Sequence, residues 1–518
     1  MVCLLAKPTG VYRPRQHLES DFHRLVREHF DEFRTLYPER HARKFGFWRP
    51  VFDKAIHHFL KCGDLQEGFA RVRCPDCRHE FLVAFSCKQR CICPSCSQKR
   101  TVLFGIHVAE DVCLDVPHRQ FVWTIPKRLR IFFRFHRGLL HQLPNLAWQS
   151  LLETYRAVLG DDAVPGGVLA IQTFGQLIHF HPHIHGLITD GAFTPDGRFL
   201  RLPLNLTHQP FLRLWEDGVF RLLLDHNLIQ PALVDQLRSW PHTGFNVDRS
   251  VCLQPGDTDG IERLAQYMAR SPFSLARIIR ITPAGKVIYK AEKEHCQKFP
   301  DPASADLFAG VRRNFQIFEP LDFLAELTQH IPNKGEHLIR YYGHYSNKAR
   351  GMRAKQAVPA DENGDWLRRR LAVPVPVFEN PAPGQHHQPI PAPSARLARR
   401  RWAILIRRVY QADPLRCPHC GGTMKIIAFI EAHQQDIIRN ILQHCGLPPE
   451  GPKGWQDPPL RGPPKPAHLP PGPKPGRQGS LFAEEGNPDS RRTHEVDPDF
   501  LEFLRREDID EPEPTWEP

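Results

Sequence analysis

Apolar residues recur along this chain with two different periods. Between residues 14 and 60 they follow helical spacing, as at Phe22, Leu25, Val26, His29, Phe30, Phe33 and Leu36, which predicts helices with one buried face. That aromatic stripe reads as core rather than as a platform for stacked bases. From about residue 117 the period shortens. Phe121-Val-Trp-Thr-Ile125, closed by Pro126, reads as a strand; Gly167 to Phe174, residues 183–189 and Val287-Ile-Tyr289 read as further strands, and Gly260 to Ile279 as a helix. Strands and helices mixed in this order predict an α+β fold built on an antiparallel sheet.

Proline marks where this pattern stops. Seven prolines between 371 and 394 predict a stiff linker, and fifteen in 451–518, with few aliphatics, predict a disordered tail carrying one short apolar patch at Phe500 to Leu504. The predicted organisation is a helical lead-in (1–60), a cysteine-rich ribbon (61–105), the α+β region (106–300), a basic helical accessory region (301–370), the linker (371–395), a small unit with one Cys-x-x-Cys pair (396–450) and the tail (451–518).

Charge sharpens the picture. The formal net charge of +12 divides into −5 in residues 451–518 and +17 in the rest, and a basic body suits a polyanion. No apolar run approaches the roughly 20 residues that span a bilayer, and the opening Met-Val-Cys-Leu-Leu-Ala-Lys-Pro lacks the pattern of a secretory signal. A cytosolic chain is expected, in which fourteen cysteines serve as metal ligands and buried thiols. There is no G-x-x-x-x-G-K-[ST] phosphate loop and no internal repeat, so no nucleotide-driven motor is expected.

Cys74-Pro-Asp-Cys77 and Cys93-Pro-Ser-Cys96 are separated by fifteen residues. This spacing predicts one closed structural Zn2+ site made by Cys74, Cys77, Cys93 and Cys96. Cys62, Cys87 and Cys91 stand by, any of which could replace a ligand. Arg71, Arg73, Arg78, Lys88, Arg90, Lys99 and Arg100 would let the ribbon lie against phosphates. A second pair, Cys417 and Cys420, has no matching downstream pair; His433, His444 and Cys445 are the nearby groups that could complete it.

The remaining chemistry lies in the run His179-Phe-His181-Pro-His183-Ile-His185. In an extended chain residues two apart share a face, so His183 and His185 present two imidazoles side by side, suited to a divalent ion. His181, His179 and Gln172 are candidates for a third ligand. Tyr267, on the predicted helix with Arg263 one turn before and Arg270 just after, is the candidate nucleophile, and the two arginines are candidate phosphate contacts. A rival tyrosine pair, Tyr341 and Tyr345, is discounted because Gly343 weakens the helix that would align the phenols.

Seven segments in order carry a family resemblance: Phe45-Gly-Phe-Trp-Arg-Pro; the zinc segment with Arg73-Cys-Pro-Asp-Cys, Phe85-Ser-Cys-Lys and Cys93-Pro-Ser-Cys; Val116-Pro-His-Arg-Gln-Phe-Val-Trp-Thr-Ile-Pro-Lys-Arg; His181-Pro-His-Ile-His; Gln266-Tyr-Met-Ala-Arg-Ser-Pro; Ile339-Arg-Tyr-Tyr-Gly-His-Tyr-Ser-Asn-Lys-Ala-Arg-Gly; and Asp413-Pro-Leu-Arg-Cys-Pro-His-Cys-Gly-Gly. The chain resembles rolling-circle insertion-sequence transposases of the insertion sequence ninety-one family, a branch of the HUH nucleases, named for two histidines around a hydrophobic residue. The resemblance implies an HUH-type fold, His183 and His185 as ligands of catalytic Mg2+ or Mn2+, and Tyr267 attacking DNA. Several relatives carry two tyrosines four residues apart; Arg263 at the earlier position implies a single-tyrosine enzyme. Single-stranded element ends are the implied substrate, with a host helicase or replication factors as partners. A plasmid replication initiator or relaxase would share the nuclease core, and a zinc-ribbon protein that binds DNA without cutting it is the other alternative.

Overall fold

The computed structural model describes Leu18 and residues 20–291, 297–300, 310–356 and 416–447, with 297–300 and 310–313 described by backbone alone. The proline-rich linker at 371–395 and the tail at 451–518, with its Phe500 to Leu504 patch, lie outside the described residues.

Helix α1 (Asp21–Arg40) starts where Ser20 Oγ accepts from the His23 N–H at 3.2 Å, satisfying one donor that the first turn leaves over. Its predicted stripe is core: Phe22, Leu25, Val26, Phe30 and Phe33 are buried. Helix α2 (Val51–Leu60) follows, then the hairpin β1 (Gly68–Arg73) and β2 (Glu80–Ala84), helix α3 (Pro94–His107) and strand β3 (His118–Thr124). Next come α4 (Leu143–Leu159), β4 (Gly166–Phe174), β5 (Phe180–Thr189), α5 (Gln209–Asp225), β6 (Asn246–Asp248) and α6 (Thr258–Met268). Strands β7 (Ile278–Ile281), β8 (Val287–Lys290) and β9 (Phe315–Phe318) make a small antiparallel sheet. The described chain continues through α7 (Pro320–Thr328), β10 (Ile339–Gly343), α8 (Asn347–Gln356), β11 (Lys425–Glu431) and α9 (Gln435–His444).

The central sheet is antiparallel in the order β10-β4-β5-β3-β6, with Cys252–Leu253 also paired to β3. Because side chains alternate between faces, the sheet sorts its residues in two. One face carries Phe121, Trp123, Leu169, Ile171, Ile184 and Ile188 into a core with Leu151, Tyr155, Phe211 and Trp215 of α4 and α5. The other carries Val168, Ala170 and Leu187 against Ile261, Leu264, Ala265 and Met268 of α6. Register places Gln172 beside His183 and Ala170 beside His185, so these polar side chains belong to the α6 face.

Two sequence expectations are corrected here. The helix expected to run to Ile279 ends at Met268, because Pro272 bars its continuation and the β-branched run at Ile278 to Ile281 pairs with β8 instead. Among the described residues of the region 301–370, expected as a basic helical accessory region, β10 is an edge strand of the central sheet. At its end Gly343 has φ +52°, where an added Cβ would overlap the Pro165 carbonyl oxygen, so only glycine fits.

Buried histidines make this fold acid-sensitive. His330 accepts from Thr173 Oγ1 at 2.9 Å and donates to the Ile178 carbonyl at 2.6 Å, and His118 lies against the Tyr345 hydroxyl at 2.7 Å. Burial pushes both imidazoles down to about 4. The unfolded chain, with histidines near pH 6.5, therefore takes up protons first as pH falls. Stability is full above about pH 6.5 and declines toward pH 4, by about 3 kcal/mol per histidine. Urea midpoints at pH 7.5 and 4.5 should differ accordingly, and His330→Gln should flatten the difference. An unchanged midpoint would contradict the assignment.

Candidate active site and metal centres

Strand β5 brings the two histidines of His183-Ile-His185 together, with their Nε2 atoms 3.0 Å apart, while Ile184 is turned into the opposite core. His183 Nδ1 donates to the His181 carbonyl at 2.8 Å, which leaves its Nε2 with a lone pair. Burial holds both imidazoles in the neutral form, His183 pushed down to about 4 and His185 well below its usual value. Neutral imidazoles are the ligating form, and neighbouring ligands each about 2.1 Å from one divalent ion stand at a similar spacing. The donor set fits such an ion.

Tyr267 comes from the last turn of α6. Its ring meets His185 edge-on at 5.2 Å between centroids, and the Arg270 guanidinium lies over it at 4.3 Å. Gln172 Nε2 donates to the carbonyls of Tyr267 at 2.9 Å and Met268 at 3.1 Å, tying the helix end to β4. Tyr267 is 37% exposed, so its hydroxyl is open to a polymer substrate. Arg263 stands exposed one turn earlier.

The third-ligand candidates separate. His179 is spent, its Nδ1 on Glu326 at 3.3 Å and its Nε2 on Gln316 at 2.8 Å. Gln172 Oε1 and His181 Nε2 are both buried without a partner, and they remain the two candidates. No helix aligns the rival tyrosines: Tyr341 is on a strand, and Tyr345, beyond its end, is fully buried.

The cysteines form two clusters rather than one. Cys62, Cys87, Cys93 and Cys96 converge, with Sγ separations of 3.6 to 3.8 Å, and Cys74 and Cys77 converge with Cys417 and Cys420, at 3.4 and 3.5 Å across the two pairs. Four sulfurs at about 2.3 Å from one tetrahedral Zn2+ stand about 3.8 Å apart, so both sets fit zinc. The expected grouping of Cys74 and Cys77 with Cys93 and Cys96 is thus corrected. Cys74 and Cys77 occupy the turn of the β1–β2 hairpin, while Cys62 and Cys87 flank its open end, and a six-residue strand at about 3.3 Å per residue separates the two ends. His433, His444 and Cys445 do not complete the second site; the hairpin turn does.

The partner of that turn arrives from the far end of the sequence. Arg78 and Gly421, each just after its second cysteine, have φ +62° and +72°, and their N–H groups close matching turns on the Cys74 and Cys417 carbonyls at 3.0 and 2.9 Å. His79 and His419 stack at 4.3 Å. Strand β11 then pairs antiparallel with β1 from Gly68↔Glu431 to Arg73↔Lys425, and Ile430, Ile438 and Leu442 share a core with Phe69 and Leu82. By spacing alone Cys62 and Cys87 are only spares; their ligand role follows from which ends of the hairpin meet.

Comparison with known proteins falls on these two regions. Residues 166–352, which hold His183, His185 and Tyr267, match the family described as "Putative transposase", and residues 26–125 match "Transposase zinc-binding domain". The chain is 24% identical over 413 residues, 75% of its length and 87% of the relative's, to "Transposase for insertion sequence element IS801" of Pseudomonas savastanoi pv. phaseolicola. It is 23% identical over 306 residues, 55% of its length and 71% of the relative's, to "Putative transposase y4qJ" of Sinorhizobium fredii. No solved structure matches. Among the described residues no helix is long and apolar enough to cross a membrane.

Proposed function

We propose that this chain, which carries the zinc-binding and transposase regions of the insertion sequence ninety-one type, cuts and rejoins single-stranded DNA at the ends of a mobile element through Tyr267. The observation that carries this reading is a partly exposed tyrosine against a histidine pair of which His185 is buried and His183 half-buried, with ring centroids of Tyr267 and His185 5.2 Å apart and the Nε2 atoms of His185 and His183 3.0 Å apart. Tyr267 Oη attacks phosphorus and loses its proton; the bond to the 3′ oxygen breaks, and that oxygen leaves as a 3′-hydroxyl after gaining a proton. A 5′-phosphotyrosine remains, which conserves the bond for strand transfer without a nucleotide cofactor. Mg2+ or Mn2+ held by His183 and His185 would supply positive charge against a phosphate oxygen. Arg270 offers a second cation beside the phenol, and Gln172 holds the helix end that aims it.

The test uses a 3′-labelled single strand carrying the element end. With Mg2+ or Mn2+ the label should migrate with the denatured, zinc-loaded protein, and with neither ion added it should not. His183→Ala and His185→Ala should each lower adduct formation about a hundredfold or more, with the fold retained. An adduct that forms equally without Mg2+ or Mn2+, or cleavage with no adduct, would overturn the reading.

A further inference from the structure

Beside Tyr267 lies a cleft of about 100 Å³ whose walls come from four segments, residues 90–100, 170–174, 268–271 and 337–339. Arg90, Ser97 and Arg100 line one side and Gln172, Arg270 and Ser271 the other. We propose that this cleft binds a backbone phosphate of the DNA strand next to the scissile one, and that the zinc-site segment and the start of α3, from Arg90 to Arg100, supply one wall of it. The inference rests on the nuclease reading above and names the substrate contact which that reading leaves open.

The lining carries three guanidinium groups and no carboxylate. Glu336, the acid whose charge reaches Arg90, is already engaged with Arg137 through two hydrogen bonds of 3.1 and 3.3 Å. Arg90 is held below its usual range by burial and by Arg100, which marks two like charges crowded together, an arrangement that an anion relieves. The hydroxyls of Ser97 and Ser271 are buried without a partner, and a buried donor left unmade is costly; phosphate oxygens accept from both hydroxyl and guanidinium. The space is enough for a phosphate group.

The zinc site sets this geometry. Cys93 is the N-cap of α3 and Cys96 lies in its first turn, so the metal knuckle fixes where α3 starts and where Arg90 and Ser97 point. Helix α3 then lies directly on α6: Thr101 Oγ1 donates to the Ala269 carbonyl at 3.0 Å, and a Cβ at Gly105 would stand 2.6 Å from Gln266 Cγ. The same packing that seats the Tyr267 helix closes the cleft.

The experiment compares the full-length zinc-loaded protein with Arg90→Gln, Arg90→Lys and Arg90→Gln/Arg100→Gln on single strands in which one phosphate at a time is a neutral methylphosphonate. Binding is read with no Mg2+ or Mn2+ added and no chelator, so it does not depend on cleavage and the zinc stays in place, and zinc content checks the fold. In the unsubstituted protein one position flanking the scissile phosphate should weaken binding about tenfold, and that same position should cost the double variant nothing further. The slope of log affinity against log salt should fall by about 0.7 for each phosphate no longer neutralised, with Arg90→Lys keeping most of it. Equal losses in protein and variants at every position, or variants with unchanged affinity and salt slope, would overturn the phosphate site. If the position-specific loss appears but no phosphotyrosine forms under Mn2+, the nuclease reading fails while the phosphate site stands.

Discussion

Tyr267→Phe should bind single-stranded element ends like the unsubstituted protein and form no covalent adduct at all. The substitution removes one oxygen from a side chain that is 37% exposed, while the backbone bonds from Gln172 to Tyr267 and Met268 remain, so stability should change by less than about 0.5 kcal/mol. Without the phenolic oxygen there is nothing to attack phosphorus. Tyr345→Phe should behave in the opposite way. Its hydroxyl accepts from the Leu114 N–H at 3.1 Å and meets His118 Nε2 at 2.7 Å inside the core, so its loss should destabilise by about 1–3 kcal/mol and leave adduct formation in place. Denaturing gels with labelled strands and thermal melts separate the two. An adduct in Tyr267→Phe, absent in Tyr345→Phe or Tyr341→Phe, would reassign the nucleophile.

The second large effect concerns zinc. The full chain should hold two Zn2+, and Cys417→Ser or Cys74→Ser should hold one, because these residues share a cluster with Cys77 and Cys420. Structural zinc in small domains is worth about 10–16 kcal/mol of apparent binding free energy, so losing this site should free residues 416–447 from the β1 edge. A protease recognition sequence inserted between 371 and 395 makes the effect visible. After cleavage the C-terminal fragment should stay with the N-terminal one, and a chelator should release it. Cys93→Ser and Cys96→Ser should act elsewhere, loosening α3 against the Tyr267 helix and lowering cleavage while the C-terminal fragment stays bound. One zinc in the unsubstituted chain, or two in Cys417→Ser, would show that the clusters do not act as sites.

Much of this protein is fixed by local pattern. A period of two places His183 and His185 on one face and Ile184 on the other wherever that segment is extended, and helical spacing buries the Phe22 to Phe33 stripe whatever it meets. The histidine pair was legible for that reason, and the candidate nucleophile through its flanking arginines and the ordered motifs of the family resemblance. What the local pattern could not fix is which distant segments meet. Cys-x-x-Cys spacing announces a metal knuckle but says nothing of its partner; Cys74 and Cys77 find Cys417 and Cys420, some 340 residues away, because β11 supplies the missing edge to β1 and its helix shares the same core. In the same way the helix of Tyr267 stops at Met268 because the following residues gain more as a strand paired with β8. Ligand type and face are decided by residues two to four positions apart, which sequence reports directly; ligand partners and helix ends are decided by long-range pairing, which only the folded chain resolves.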